Sequence, residues 1–159
     1  MACRRWRFSE EGTDGNEPRR VSVQPVIARN LLVVTALAEA GVGVTLLWSP
    51  PFVAGLLLGV SLDAPAALIL GRIAGAALLS LGAACWLARD DGASRARRGL
   101  ITAMLLYNSA AAAVLANVGA GVRLVGVLMW PAVALHAVLA VWCIASLRSG
   151  PRTRPVTHD

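Results

Sequence analysis

The sequence predicts an all-α membrane protein, a bundle of four transmembrane helices with a short interfacial helix after the first span. Of its 159 residues, 57% are hydrophobic and 15% are charged, whereas soluble domains carry about 25% charged residues. Four separate apolar stretches each approach the length of about 20 residues that crosses the hydrocarbon core of a bilayer. All the basic residues are arginines, and all of them except Arg72 flank these stretches.

The spans can be placed from their flanking residues. We expect them at about residues 30–48, 66–88, 99–119 and 124–147, within a transmembrane domain of residues 29–148. The segment between the first two spans has an apolar part of about ten residues, too short to cross the core, and therefore predicts an interfacial or re-entrant helix. Residues 119–123 alone separate the last two spans. Those two helices should therefore be antiparallel neighbours.

The distribution of arginine predicts the orientation. Six arginines precede or open the first span, four lie between the second and third spans, and three follow the fourth. The opposite side has only Arg123. Because positively charged loops stay in the cytoplasm, both termini should be cytoplasmic. Orientation also accounts for the net charge of +6, so no nucleic-acid partner is expected.

The two ends of the chain are polar. Residues 1–28 mix arginine with Gly, Pro and acidic residues, a composition typical of a disordered tail. Residues 149–159 form a second polar tail. We expect both tails to be cytoplasmic.

Each apolar stretch contains a polar or ionisable residue, and these are the candidate functional residues: Glu39, Arg72, Asn108 and His136. Such groups are expensive in hydrocarbon, so each needs a partner or a function. Glu39, Asn108 and His136 fall at mid-span, whereas Arg72 lies about 7 to 8 Å outward of its span's midpoint. Arg72 has three alternatives: a pair with Glu39, a functional site, or an outward path to the interface or Asp63. Asn108 and His136 are either structural hydrogen-bonding residues or ligands.

Several activities lack the residues that they need. No C-x-x-C motif occurs, and Cys85 and Cys143 fit the role of small apolar residues in a packed bundle. His136 is the only intramembrane histidine, too few for a bis-histidine haem, and with Glu39 it makes too few ligands for zinc. No phosphate-binding loop or hydrolase motif is present. We therefore expect no enzyme activity, no cofactor, and no catalytic or metal-binding residue.

Four short motifs carry a family resemblance. They are the carboxylate in the first span, P-x5-LLLG in the outer segment, GRIAGAALLSLG at the start of the second span and MLLYN in the third. Over residues 30–147 the chain resembles the DoxX-like group of small bacterial four-helix membrane proteins. The resemblance implies the helical bundle and the bacterial inner membrane, and it transfers no activity to any residue.

Two functions stay open from the sequence. The favoured hypothesis is a non-enzymatic module that binds an apolar or amphiphilic small molecule, or a membrane protein partner. The alternative is a proton-coupled small-molecule exporter, because small multidrug resistance transporters also have four helices and a central first-span glutamate. The chain departs from them in its arginine bias, its long tail and its third span, which is poor in aromatic residues. A redox accessory based on His136 and Trp130 is a further alternative function. Assembly into a homo-oligomer also stays open from the sequence.

Overall fold

The fold is all-α, as predicted. A computed structural model describes residues 23–122 and 124–149, so most of the first predicted tail and nearly all of the second lie outside the described residues. The helices are α1 (Val23–Trp48), α2 (Pro50–Leu58), α3 (Pro65–Ala88), α4 (Arg95–Asn117) and α5 (Met129–Arg148), with a π-helical turn at Val118–Val122 after α4. Within the described residues there is no strand.

Four of these helices are long and apolar enough to cross a membrane: α1 from Val26, α3, α4 with its π-helical turn, and α5. Their mean hydropathy lies between 1.7 and 1.9. This confirms a multi-pass membrane protein whose surroundings are a lipid bilayer. The short helix α2 packs against α1, α3 and α5, and its residues Pro50 and Ala54 are buried.

The start of α4 differs from the sequence expectation for a local reason. The helix begins at Arg95, ahead of the apolar stretch that starts at residue 99. The side chain of Ser94 accepts a hydrogen bond from the backbone N–H of Arg97 at 3.1 Å and so caps the first turn. The arginines before the third span therefore belong to the helix, and only the apolar part needs to lie in hydrocarbon.

The fourth long helix begins at Met129 rather than near residue 124. The preceding residues pair with the end of α2, since the N–H groups of Gly126 and Leu128 donate to the carbonyls of Leu57 and Leu56, each at 2.9 Å. A Cβ atom at Gly126 would collide with the Leu56 carbonyl oxygen. These bonds satisfy terminal carbonyls of α2 that would otherwise lack partners, and they tie α2 to the bundle.

The long helices pack as two close pairs, α1 with α3 and α4 with α5. Glycines make the first pair possible. A Cβ atom at Gly43 would lie 2.8 Å from the carbonyl oxygen of Gly75, and one at Gly75 would lie 2.8 Å from that of Gly43. Gly82 touches the α1 backbone in the same way at Ala36. Small residues let the two backbones approach closely where larger ones would hold them apart.

The hydrophobic core occupies the half of the bundle next to the arginine-rich ends. It draws on the first half of α1 and α4 and the second half of α3 and α5: Ala28, Leu31, Leu32, Ala36, Cys85, Ile101, Met104, Leu139 and Cys143. On the same side, Arg29 donates to Asp90 at 2.8 Å and joins the start of α1 to the loop after α3. The opposite half, which contains α2, is less completely filled.

Candidate functional site: a polar-ended cavity between the helix pairs

A cavity of about 410 Å³ lies in the half of the bundle that contains α2. Its wall comes from α1, α2, α4, α5 and Leu128, and most of the lining side chains are apolar. Four lining residues are polar: Glu39, Thr45, Tyr107 and His136. Two of the apolar lining residues, Phe52 and Leu135, are 57% and 46% exposed, so the cavity opens to the surroundings of the bundle.

Glu39 lies on the cavity wall, although only 4% of its surface is exposed. The hydroxyl of Tyr107 donates a long hydrogen bond of 3.4 Å to its Oε2 atom. The ring of Tyr107 stands edge-on to that of His136, with ring centroids 5.7 Å apart and planes at 82°. The carboxyl of α1, the phenol of α4 and the imidazole of α5 therefore form one cluster.

Asn108 lies behind this cluster and has no exposed surface. Its Nδ2 atom donates to the carbonyl of Met104 at 2.8 Å, which leaves Oδ1 to face Nδ1 of His136 at 2.8 Å. Because Oδ1 can only accept, His136 must carry a proton on Nδ1. In the neutral imidazole the other nitrogen, Nε2, is then an acceptor.

Thr45 is the remaining polar residue of the wall. Its hydroxyl donates to the carbonyl of Gly41 one turn earlier in α1, at 2.8 Å. The hydroxyl proton of Thr45 is therefore committed to a hydrogen bond within α1, whereas the lone pairs of its oxygen can still accept a hydrogen bond. Thr45 lies between Glu39 and the α2 end of the cavity along α1.

The structure brings together three of the four residues that the sequence singled out, and Arg72 is not among them. Arg72 is exposed on α3, a helix that contributes nothing to the cavity wall. Among the described residues no ion pair joins Arg72 to Glu39. The carboxylate of Asp63 accepts a hydrogen bond from Ser61 at 2.6 Å. Of the alternatives open from the sequence, the internal pair with Glu39 is not formed among the described residues, since Arg72 is exposed whereas Glu39 is buried.

Tyr107 is the member of the cluster that the sequence analysis missed. It is the only tyrosine of the chain, and it lies at mid-helix in α4, half-buried beside Asn108. Tyrosines of membrane proteins concentrate at the two interfaces, where the hydroxyl reaches water. A tyrosine at the centre of a span, next to an asparagine, therefore indicates a polar partner on another helix.

The cluster does not have the composition of a metal centre. In the part of the chain that the structure describes, no three His, Cys, Asp or Glu side chains come together. Cys85 and Cys143 are buried free thiols in the hydrophobic core. The arrangement of carboxyl, phenol and imidazole on an apolar cavity instead suits the binding of a polar group carried on a hydrophobic ligand.

Compared with protein-family models, curated proteins and solved structures, the chain has no significant match. The DoxX-like resemblance therefore stays a prediction from short motifs.

Proposed function

We propose that this protein is a non-enzymatic membrane module that binds an apolar or amphiphilic small molecule in the cavity between its helix pairs. The observation that carries the proposal is the apolar cavity of about 410 Å³ whose wall includes Glu39, Tyr107 and His136. Small-molecule sites typically have volumes of about 300 to 1,000 Å³, apolar walls and a few convergent polar groups. All three properties meet in one place here.

The position of the opening favours a ligand that arrives through the bilayer. The exposed lining residues Phe52, Val42 and Leu135 are apolar and belong to helices that cross or lie against the membrane. A hydrophobic molecule dissolved in lipid can reach such an opening without passing through water. The polar cluster then offers it an interaction that lipid cannot provide.

The proposal can be tested by filling the cavity. Gly41 lines it, and a Cβ atom at Gly41 meets no atom within 4 Å, so Gly41→Phe has room to place its ring in the cavity space. Gly99→Phe is the matched control, because Gly99 is also a helical glycine with open space but does not line the cavity. Mass spectrometry of small molecules that co-purify in mild detergent should find a species in wild type and Gly99→Phe that Gly41→Phe lacks. Co-purification of a stoichiometric larger protein instead would recast the chain as a partner-binding subunit.

The orientation belongs to the same proposal. Arg89 follows α3, and Arg95, Arg97 and Arg98 lie in the first turn of α4. These arginines are at the same end of the bundle as Arg29 and Arg148. By the positive-inside rule we place this end in the cytoplasm of a bacterial cell and the protein in the inner membrane. The cavity and α2 then lie in the outer half of the bilayer.

A proton-coupled exporter is the second candidate, and one observation favours it. Glu39 is a nearly enclosed carboxyl that still lies on the wall of a ligand-sized cavity. A transporter that couples proton binding to substrate binding at one site needs such a carboxyl. Reconstituted in proteoliposomes, wild type should then drive substrate flux under a pH gradient, and Glu39→Gln should not. Equal flux in the two proteins excludes the exporter and leaves the binding module in place.

A further inference from the structure

We infer that the cavity selects a lipophilic amine, a hydrophobic molecule with a single chain or a small ring system whose N–H donors face Glu39 and His136. This inference depends on the proposed binding function and names the class of ligand. It follows from which protons of the cavity wall are already used and from how deep the acceptors lie.

Apart from the acidic proton of Glu39, which a basic ligand can take up, the side-chain donors of the wall are committed within the protein. The hydroxyl of Tyr107 donates to Glu39, and the hydroxyl of Thr45 donates to the backbone of α1. The Nδ1–H group of His136 donates to Asn108, an assignment that the bond from Asn108 to Met104 fixes. A ligand that needs to receive hydrogen bonds therefore competes with bonds that already exist.

The acceptors of the wall are open. Glu39 uses one carboxylate oxygen for Tyr107, and the Nε2 atom of His136 has no hydrogen-bond partner among the described residues. In the same part of the chain, the fully enclosed side-chain atoms that lack a partner are Thr35 Oγ1 and Ser146 Oγ. Neither Glu39 Oε1 nor His136 Nε2 is among them, so both atoms reach open space. Glu39 has no cationic partner among the described residues, so a basic amine that takes up the carboxyl proton binds as an ammonium ion opposite the carboxylate, in a charge-assisted pair that a neutral donor cannot form.

The depth of these acceptors restricts the source of the amine. Glu39 precedes Trp48, the last residue of α1, by nine residues, which places the carboxyl about 14 Å along the helix axis from that end. The amine of a bilayer phospholipid lies at the headgroup level and is tethered there by its phosphate. A lipophilic amine without a phosphate can bring its nitrogen to the middle of the bundle while its apolar part fills the cavity.

A series of ligands with one chain and different head groups tests the inference. The full-length protein is reconstituted in phosphatidylcholine nanodiscs, radiolabelled decylamine, decanol and decanoate are each titrated, and the three unlabelled compounds serve as competitors. We expect saturable binding that decylamine displaces at least about tenfold better than decanol, as a hydrogen bond to a charged group implies, with decanoate weaker still. Replacing part of the lipid with phosphatidylethanolamine should leave the affinity unchanged.

The binding function and the preference for an amine are overturned by different outcomes. Absence of saturable binding by all three compounds would overturn the binding function itself. If decanol or decanoate binds with the same affinity as decylamine, the binding function stands and the preference for an amine is overturned. If phosphatidylethanolamine competes with decylamine, the exclusion of phospholipid amines is overturned. Glu39→Gln should reduce decylamine affinity about tenfold or more and leave decanol affinity within about threefold. The head-group series on wild type decides the inference even where that variant does not fold.

Discussion

The Nδ1 atom of His136 on α5 lies 2.8 Å from the Oδ1 atom of Asn108 on α4, at a position where Asn108 has no exposed surface. The same amide donates to Met104, so its oxygen is held towards the imidazole. A buried asparagine thus fixes both the contact between two helices and the tautomer of a histidine on the cavity wall. Its role is to position His136, whose Nε2 atom, on another edge of the ring, is the one that the proposed ligand would meet.

The first prediction concerns this tautomer. In protein labelled with ¹⁵N-histidine, solid-state NMR in lipid should show His136 as the neutral Nδ1–H form, because Asn108 Oδ1 can only accept. The other histidine of the chain, His158, falls in the predicted tail of residues 149–159 and provides an internal reference. An Nε2–H form at His136 would contradict the assignment and remove one of the open acceptors of the cavity.

The second prediction concerns the energy of the same contact. Asn108→Ala removes the partner of the His136 Nδ1–H group and should lower the free energy of unfolding by about 0.6 kcal/mol, and by no more than about 1.7 kcal/mol, the average and the maximum for hydrogen bonds between membrane helices. Unfolding can be followed by helical circular dichroism in mixed micelles with increasing SDS. Ser109→Ala, at the exposed neighbouring position, should change stability by less. Equal effects of the two substitutions would show that the contact contributes nothing.

A third prediction concerns the glycine contact between α1 and α3. Gly75→Ala places a Cβ atom 2.8 Å from the Gly43 carbonyl oxygen, so the helices must separate, and stability should fall by about 1 to 3 kcal/mol, as for overpacked cores. Gly41→Ala is the control, since its added methyl group meets nothing within 4 Å. The same SDS titration compares them. A Gly75→Ala variant as stable as wild type would contradict the close approach of the two backbones.

The fourth prediction concerns pH. The hydrogen bond from Arg29, with the charges of Arg89 and Arg29 beside it, lowers the pKa of Asp90 from its ordinary value of 3.8. A lowered folded-state pKa adds stability above the unfolded value and loses it as the pH falls through the folded value. The stability difference between wild type and Asp90→Asn should therefore be present at neutral pH and shrink below about pH 3.8. It should be small, because both side chains are more than half exposed. A difference that grows on acidification would contradict the assignment.

The fifth prediction concerns orientation. In a chain with Cys3 replaced by serine, the remaining Cys85 and Cys143 are buried, so an introduced cysteine reports its own side of the membrane. Gly92→Cys in the α3–α4 loop should resist a membrane-impermeant maleimide in intact cells, and Val60→Cys after α2 should react. The reverse pattern would place the arginine-rich end outside the cytoplasm.

Much of the fold follows from the sequence because hydrocarbon imposes a length and a composition on each span. The third span and α2 could be placed this way. Arg97 and Arg98 precede the third span, and Pro50 marks the start of α2. The late start of α5 could not, because it depends on backbone bonds from Gly126 to α2, a tertiary contact that no local pattern indicates.

The site was predictable in part, for a related reason. Glu39, Asn108 and His136 are conspicuous because polar side chains at mid-span need partners. Their exact grouping depends on how the helices rotate and pair, and this rotation also turns Arg72 outward. Tyr107 was missed because tyrosines of membrane proteins concentrate at the interfaces. The signal that could have indicated it is its position at the middle of the third span beside Asn108.

Photo-crosslinking in the bilayer tests the central claim most directly. An alkylamine with a diazirine in its chain is incorporated into nanodiscs with wild type, Gly41→Phe and Gly99→Phe, and labelled residues are mapped by mass spectrometry. We predict labelling concentrated at cavity residues such as Val53 and Ala132 in wild type and Gly99→Phe, and its loss in Gly41→Phe. Labelling spread over lipid-facing residues such as Leu70, and unchanged by Gly41→Phe, would contradict the existence of a ligand site in the cavity.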